Sequence, residues 1–303
     1  MSSTSMGYTV PLRRSWWRRV PWVSLLLLAP AVVLMVVFFI VPLGDAVYLG
    51  FTNGELEGVH ARVFQFIGFA NYAHMLQDSF LANSLWQTVI FVGASAIIGQ
   101  TVLGMIMALL SENAWAWLRV SVGSIVITAW VIPEIAAAVL WTTFSQAGGT
   151  FDLLLGPGQS GTNWLVSAPM AILCVANLWR GVAFSMLLFG AGLRNISPEV
   201  KEAAVLDGAS TWQRLAQVIL PIMKPTIVTN FILVTIGNLS DFTLIYALTH
   251  GGPGNATQTL PLYIYEQAFS YYELGYGTAI AMLLIAIGAI ASLIYVRLLR
   301  SEL

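Results

Sequence analysis

The feature that most constrains this chain is its division into long apolar runs that leave little charge for a water-exposed surface. Hydrophobic residues make up 58% of the 303 residues and charged residues 9%, whereas soluble globular proteins carry about 25% charged residues. A helix that spans a bilayer needs about 20 apolar residues. Six such segments occur, at roughly 22–43, 85–110, 120–143, 168–192, 225–248 and 276–298. The sequence therefore predicts an all-α integral membrane protein with six transmembrane helices.

The positions of Lys and Arg predict the orientation of these helices, because cytoplasmic loops carry an excess of both. All but two of the 13 Lys and Arg residues precede the first segment, follow the second, separate the fourth from the fifth, or stand at or after the end of the sixth. Arg62 stands in a predicted external loop and Arg180 inside the fourth segment. Both termini are therefore predicted to be cytoplasmic. The apolar stretch after residues 1–21 has no clear cleavage site, which favours an uncleaved span over a signal peptide.

Composition excludes several classes of function. The net charge of −1 gives no basic surface for nucleic acid. Cys174 is the single cysteine, so an intrachain disulfide is excluded. Neither lysine, Lys201 or Lys224, stands in a phosphate-binding G-x-x-x-x-G-K-[ST] loop, and no nucleophile or zinc-protease motif is present. His60, His74 and His250 show no metal-ligand spacing. We expect a chain that is not an enzyme, with no metal and no cofactor of its own.

One polar stretch, residues 193–224, separates the fourth and fifth apolar segments. Ser197-Pro198-Glu199 has the order of a helix start, with a capping hydroxyl, proline at the first position and an acid in the first turn. A short helix is predicted to about Leu206, followed by a turn at Gly208. The stretch is typical of a helix–turn–helix, and from composition alone it is equally consistent with an amphipathic connector that rests on lipid headgroups.

The second helix of this predicted pair begins at Ser210, where Ser210 and Gln213 form a capping-box pattern. Its apolar side chains recur at helical spacing and give it one apolar face. They are Trp212, Leu215, Val218 and Ile219. Pro221 and Pro225 are predicted to end it.

Three motifs in this chain resemble those of a known family. The first is similar, in residue order and spacing, to the cytoplasmic EAA loop of binding-protein-dependent ABC importer permeases. It consists of Glu202-Ala203-Ala204, Asp207-Gly208-Ala209, Leu220-Pro221 and Pro225. IGFANYAHML (67–76) and THGGPGNATQTLPLYIYEQAF (249–269) resemble external segments of maltose- and trehalose-type carbohydrate permeases. The resemblance implies the type I ABC importer permease fold, formed by residues 22–303, in a bacterial or archaeal cell (inner) membrane.

The same resemblance implies partners and contacts. In this family the loop is a coupling helix that seats in a groove of the ATP-hydrolysing subunit. It implies ATPase contacts at Glu202, Ala203, Ala204, Asp207, Gly208, Ala209, Leu215 and Pro221. The implied partners are a second permease in a heterodimer, two ATP-binding subunits that hold ATP and Mg, and an extracytoplasmic solute-binding protein.

Polar side chains inside the membrane mark a candidate site. Arg180 in the fourth segment and Asp241 in the fifth are costly in lipid, so both should face a cavity or a partner. The structural alternative is an Arg180–Asp241 pair with amides that join helices. The resemblance implies that seven residues line a sugar site, with Asp241 in place of a family amide: Asn177, Arg180, Gly181, Phe184, Val234, Asn238 and Asp241. Glu134 stays open as a cavity wall, a partner for Arg180, or neither.

The function implied is inward transport of a carbohydrate, such as trehalose or maltose, by an ATP-driven ABC importer. Import of glycerol-phosphate stays open because Arg180 also suits a phosphate. A proton-coupled carrier that uses Glu134 and Asp241 as a relay is the second class, although the chain has no evident inverted repeat. A membrane-embedded enzyme is the third and lacks a catalytic cluster.

Overall fold

The computed structural model describes residues 22–58, 61, 63–112, 114–155 and 161–300. Arg62, His60 and the arginines before residue 22 lie outside the described residues. Helices account for most of the described chain. In chain order they are α1 (Leu26–Leu49), α2 (Ala70–Met75), α3 (Ser79–Glu112), α4 (Ala116–Val131), α5 (Glu134–Ser145), α6 (Thr150–Leu155), α7 (Trp164–Ser167), α8 (Pro169–Arg194), α9 (Pro198–Leu206), α10 (Thr211–Leu239), α11 (Thr243–Thr249), α12 (Leu260–Tyr265) and α13 (Leu274–Arg300).

Among the described residues, α1, α3, α8, α10 and α13 are long and apolar enough to cross a membrane, and a sixth span results if α4 and α5 are one bent span. Large apolar side chains on these helices face outward; Ile125 and Val131 are 71% and 70% exposed. Such surfaces are stable in lipid and not in water. The prediction of an all-helical membrane protein is therefore confirmed, with five to six candidate spans.

The third predicted segment, 120–143, is not one straight helix. It divides into α4 and α5, which meet at 103°. Ile132 adopts φ −59° and ψ 128°, and Pro133 precedes α5. Proline supplies no backbone N–H and drives the preceding residue out of the helical region, so it breaks the helix here. Glu134 consequently lies in the first turn of α5 rather than inside a span.

The fifth predicted segment, 225–248, has wrong boundaries at both ends. α10 begins at Thr211 and runs to Leu239, so Pro221 and Pro225 do not end the helix. A π-helical turn over Leu215–Ile219 precedes Pro221, and its altered hydrogen-bond register accommodates a residue without an N–H. Asp241, which was predicted to lie within the fifth segment, is in the bend between α10 and α11.

Contacts divide the chain into two units, one ending at Tyr48 and one beginning at Leu49. In the second unit α8 packs against α3, α4 and α10. The helices α3 and α8 approach each other closely at Gly104 of α3, where an added Cβ would lie 2.4 Å from Ser185 Cβ. The core beside the site is built on residues such as Phe91, Leu173, Ala176 and Leu244. This packing places three long helices around one cavity.

Candidate functional site

A cavity of about 470 Å³ lies between α3, α4, α5, α8 and α10. All seven residues singled out from the sequence line it: Asn177, Arg180, Gly181, Phe184, Val234, Asn238 and Asp241. The structure adds residues that the sequence did not single out, namely Gln100, Trp130, Leu233, Gly237, Ser240, Phe242 and Thr243, and it places Glu134 in the wall. Gln100 is a polar residue within an apolar run, and that signal was available in the sequence.

Arg180 is held by an ion pair on one side of this cavity. Its Nη1 donates to Glu134 Oε1 at 3.1 Å, and the two side chains are 15% and 33% exposed. The break at Pro133 places Glu134 at the N-terminus of α5, where the helix dipole stabilises a carboxylate. Glu134 is therefore both cavity wall and partner of Arg180. The Arg180–Asp241 pair expected under the structural alternative is not formed.

Asp241 faces the cavity from the bend after α10. The Oδ1 atom is buried and has no hydrogen-bond partner. The same is true of Arg180 Nε. Buried polar atoms are normally paired, so the cavity presents one open acceptor and one open donor.

The amide side chains of the site are largely occupied by one another. Asn177 Nδ2 donates to Ser95 Oγ at 2.7 Å and to Asn238 Oδ1 at 2.5 Å. Asn238 Nδ2 in turn donates to the Val234 carbonyl at 2.7 Å. These bonds connect α3, α8 and α10, as interhelical amides do in membranes. The network therefore holds these three helices together beside the cavity.

Gly181 and the aromatic pair complete the lining. A Cβ on Gly181 would lie 2.1 Å from Gln100 Nε2, so the absence of a side chain admits Gln100 to the cavity. Phe184 lies 6.3 Å from Trp130 between ring centroids. Flat rings of this kind pack against the apolar faces of other ring-shaped groups.

The polar loop forms the helix–turn–helix expected from the sequence. Gly208 takes φ +77°, and the N–H groups of Gly208 and Ala209 donate to Val205 and Ala204 carbonyls, which is a Schellman end to α9. The capping box at Ser210 and Gln213 is present. Ser197 occupies the N-cap of α9, but its hydroxyl makes no cap hydrogen bond, so that part of the prediction is wrong.

The loop presents apolar side chains to its surroundings. Leu206 is 87% exposed and Trp212 is 73% exposed. Most of the expected ATPase-contact residues are also exposed, namely Glu202, Ala203, Asp207, Gly208 and Pro221. The other three are partly covered: Ala204, Ala209 and Leu215. The Lys201 ammonium pairs with Glu112 at the end of α3. The hairpin is therefore anchored on one side and open on the other.

Outside the spans, Asp78 organises the segment before α3. Burial disfavours its charge, but hydroxyl donors on Tyr263 and Tyr276 and the N–H groups of Leu81 and Phe80 outweigh that, so its pKa lies below the ordinary value. Within the described residues, no group of three or more His, Cys, Asp or Glu side chains is placed to hold a metal.

The chain is similar to known proteins along most of its length. Residues 100–301 match the family described as binding-protein-dependent transport system inner membrane component. The sulfoquinovosyl glycerol transport system permease protein SmoG of Agrobacterium fabrum is 32% identical over 92% of this chain and 91% of its own. The trehalose/maltose transport system permease protein MalF of Thermococcus litoralis is 32% identical over 90% of this chain and 92% of its own. The sn-glycerol-3-phosphate transport system permease protein UgpA of Rhizobium meliloti is 32% identical over 86% of this chain and 89% of its own.

Solved structures give the same fold. A chain of the bacterial alginate ABC transporter, in complex with alginate pentasaccharide-bound periplasmic protein, superposes with a TM-score of 0.80 at 20% identity, over 93% of this chain and 95% of that chain. A chain of the MetNI methionine ABC transporter, in inward-facing conformations, superposes with a TM-score of 0.56 at 18% identity, over 75% and 97%.

Proposed function

We propose, from the premise that this chain belongs to the family of binding-protein-dependent transport system inner membrane components, that it conducts a carbohydrate inward. Membership makes the chain a multi-pass permease of a prokaryotic inner membrane, a non-catalytic component without a cofactor that depends on a partner ATPase. It also sets aside the proton-coupled carrier and the membrane enzyme. The substrate, the binding residues and the arrangement of subunits are the proposal.

One observation carries the carbohydrate assignment, the convergence of the seven expected residues on one cavity. The cavity combines aromatic faces, amides, and open hydrogen-bonding atoms on Arg180 and Asp241. Sugar rings offer matching apolar faces and hydroxyls that both donate and accept. A di- or oligosaccharide such as trehalose or maltose is the substrate we propose. The relatives named for glycerol-3-phosphate keep that solute as the second candidate.

For the assembly, we propose six spans with both termini in the cytoplasm and a type I arrangement. The chain pairs with a second permease, and two ATPase subunits dock on the loop 193–224, whose exposed Leu206 and Trp212 provide an apolar contact. An extracytoplasmic solute-binding protein delivers the sugar. The first 21 residues form a cytoplasmic segment.

The test is solute uptake by the complex in proteoliposomes with ATP inside and binding protein outside. Labelled trehalose, maltose and glycerol-3-phosphate are compared in the unmodified complex, in Phe184→Ala and in Phe269→Ala. Phe269 is 55% exposed and lies outside the cavity lining, so its variant is the matched control. We expect ATP-dependent sugar uptake that falls at least tenfold in Phe184→Ala only. Uptake of glycerol-3-phosphate without any sugar uptake overturns the carbohydrate assignment.

A further inference from the structure

The fixed charge of the cavity gives a rule for the solutes that it admits. Among the described lining residues, only Glu134, Arg180 and Asp241 are charged. Arg180 is already compensated by Glu134 at 3.1 Å, and no described cation pairs with the Asp241 carboxylate. The lining therefore carries an excess of one negative charge when all three groups are ionised.

The open hydrogen-bonding atoms point to the same class of solute. Asp241 Oδ1 needs a donor and Arg180 Nε needs an acceptor. A sugar hydroxyl provides both functions, and an ammonium provides a donor. Ionised phosphate, sulfonate and carboxylate oxygens only accept, so a charged group of this kind placed against Asp241 supplies no donor and adds a like charge to the cavity.

We propose that this cavity excludes anionic solutes and selects a neutral or amine-bearing sugar, with Asp241 as the residue that determines this selectivity. The inference deepens the proposed function and rests on it for the identity of the cavity as the translocation site. This selectivity would distinguish the chain from relatives that are named for glycerol-3-phosphate and sulfoquinovosyl glycerol. Overall sequence identity does not make that distinction, because it is 32% to those relatives and to the trehalose/maltose protein alike.

A charged-reagent experiment measures the potential in the cavity directly. Cys174, the single cysteine, is replaced by Ala, and Gly237→Cys is introduced in the wall. A Cβ at Gly237 meets nothing within 4 Å, so the thiol fits without displacing a neighbour. In the detergent-purified complex, modification rates are measured with cationic and anionic methanethiosulfonates, each normalised to its rate with free cysteine.

We expect the normalised rate to favour the cationic reagent. Asp241→Asn and Glu134→Gln should each lower the cation-to-anion ratio, and Arg180→Gln should raise it. Each change should be about fivefold, the effect of a unit charge at about 8 Å on two oppositely charged reagents in a water-like dielectric.

The matched control is Gly190→Cys in the same background. Gly190 also has open space at its Cβ, but it lines a different cavity with Arg119 and Arg194. Its ratio should be unaffected by Asp241→Asn. The selectivity rule is overturned if Gly237→Cys reacts faster with the anionic reagent, or if Asp241→Asn leaves the cation-to-anion rate ratio at Gly237→Cys unchanged. Failure of sugar uptake with the expected ratios intact instead overturns the proposed function.

Discussion

At the scale of single residues, Arg180 and Asp241 illustrate how far sequence reasoning extends. Their cost in lipid predicts that both face a cavity or a partner, and the structure places both on one cavity wall. The partner that each of them takes was not predictable, because the break at Pro133 directs Glu134 toward Arg180 and the end of α10 places Asp241 in a bend. Residue spacing in an apolar run does not encode either event.

The ion pair makes a double-mutant prediction. Arg180→Gln leaves Glu134 without its partner, and breaking a buried pair costs about 3–5 kcal/mol, less here because Glu134 is 33% exposed. We expect lower complex yield and lost sugar uptake in the single variant. Adding Glu134→Gln should restore yield without restoring uptake, as measured by size-exclusion chromatography and proteoliposome transport. Recovery of uptake in the double variant would contradict a role of Arg180 in binding substrate.

The contact between α3 and α8 gives a stability prediction at Gly104. A Cβ there would lie 2.4 Å from Ser185 Cβ and 3.0 Å from the Met186 backbone nitrogen. Gly104→Ala should destabilise the chain by about 1–3 kcal/mol through overpacking. Gly93→Ala on the same helix meets nothing within 4 Å and serves as the control. Thermal unfolding in detergent should show a lower midpoint for Gly104→Ala alone; equal midpoints would argue against the tight contact.

At the scale of helices and loops, capping and turn residues predict local structure better than prolines predict helix ends. The capping box at Ser210 and the turn at Gly208 follow from residue types with fixed conformational preferences. Pro221 was predicted to end the helix, but the helix continues through it because the π-helical turn before Pro221 accommodates a residue without a backbone N–H. The bend of 103° at Pro133 was likewise invisible in an apolar run, since hydropathy does not distinguish one straight span from two angled helices.

The turn of the loop 193–224 is tested at Gly208. Its φ of +77° is unfavourable by about 1–2 kcal/mol for most side chains, whereas Asn tolerates it. We expect Gly208→Val to abolish substrate-stimulated ATP hydrolysis by the assembled complex while the chain still inserts, and Gly208→Asn to retain most of it. Free space surrounds this position, so the comparison isolates backbone conformation from steric overlap. Full stimulation in Gly208→Val would refute the coupling role of the loop.

At the scale of the whole molecule, the apolar pattern predicts the class of fold, and the superposition on the alginate transporter chain at a TM-score of 0.80 supports it. Orientation is a separate prediction, drawn from Lys and Arg. Single cysteines at Glu273, Arg119 and Glu199, in the background without Cys174, test it with a membrane-impermeant maleimide. Glu273→Cys should react in intact cells, and the other two only after permeabilisation. The reverse labelling pattern would show that the predicted orientation in the membrane is wrong.

The unbroken helix from Thr211 to Leu239 has a mechanical consequence. At 1.5 Å per residue its 29 residues extend about 43 Å, and its two ends serve different tasks. One end carries the capping box beside the turn, and the other carries Val234, Gly237 and Asn238 of the cavity wall. Under the proposed coupling role of the loop, a movement imposed by the ATPase subunit near Ser210 is transmitted along this one helix to the cavity wall. Because the helix ends at the bend that holds Asp241, the same movement would change the orientation of the carboxylate that we propose contacts the solute.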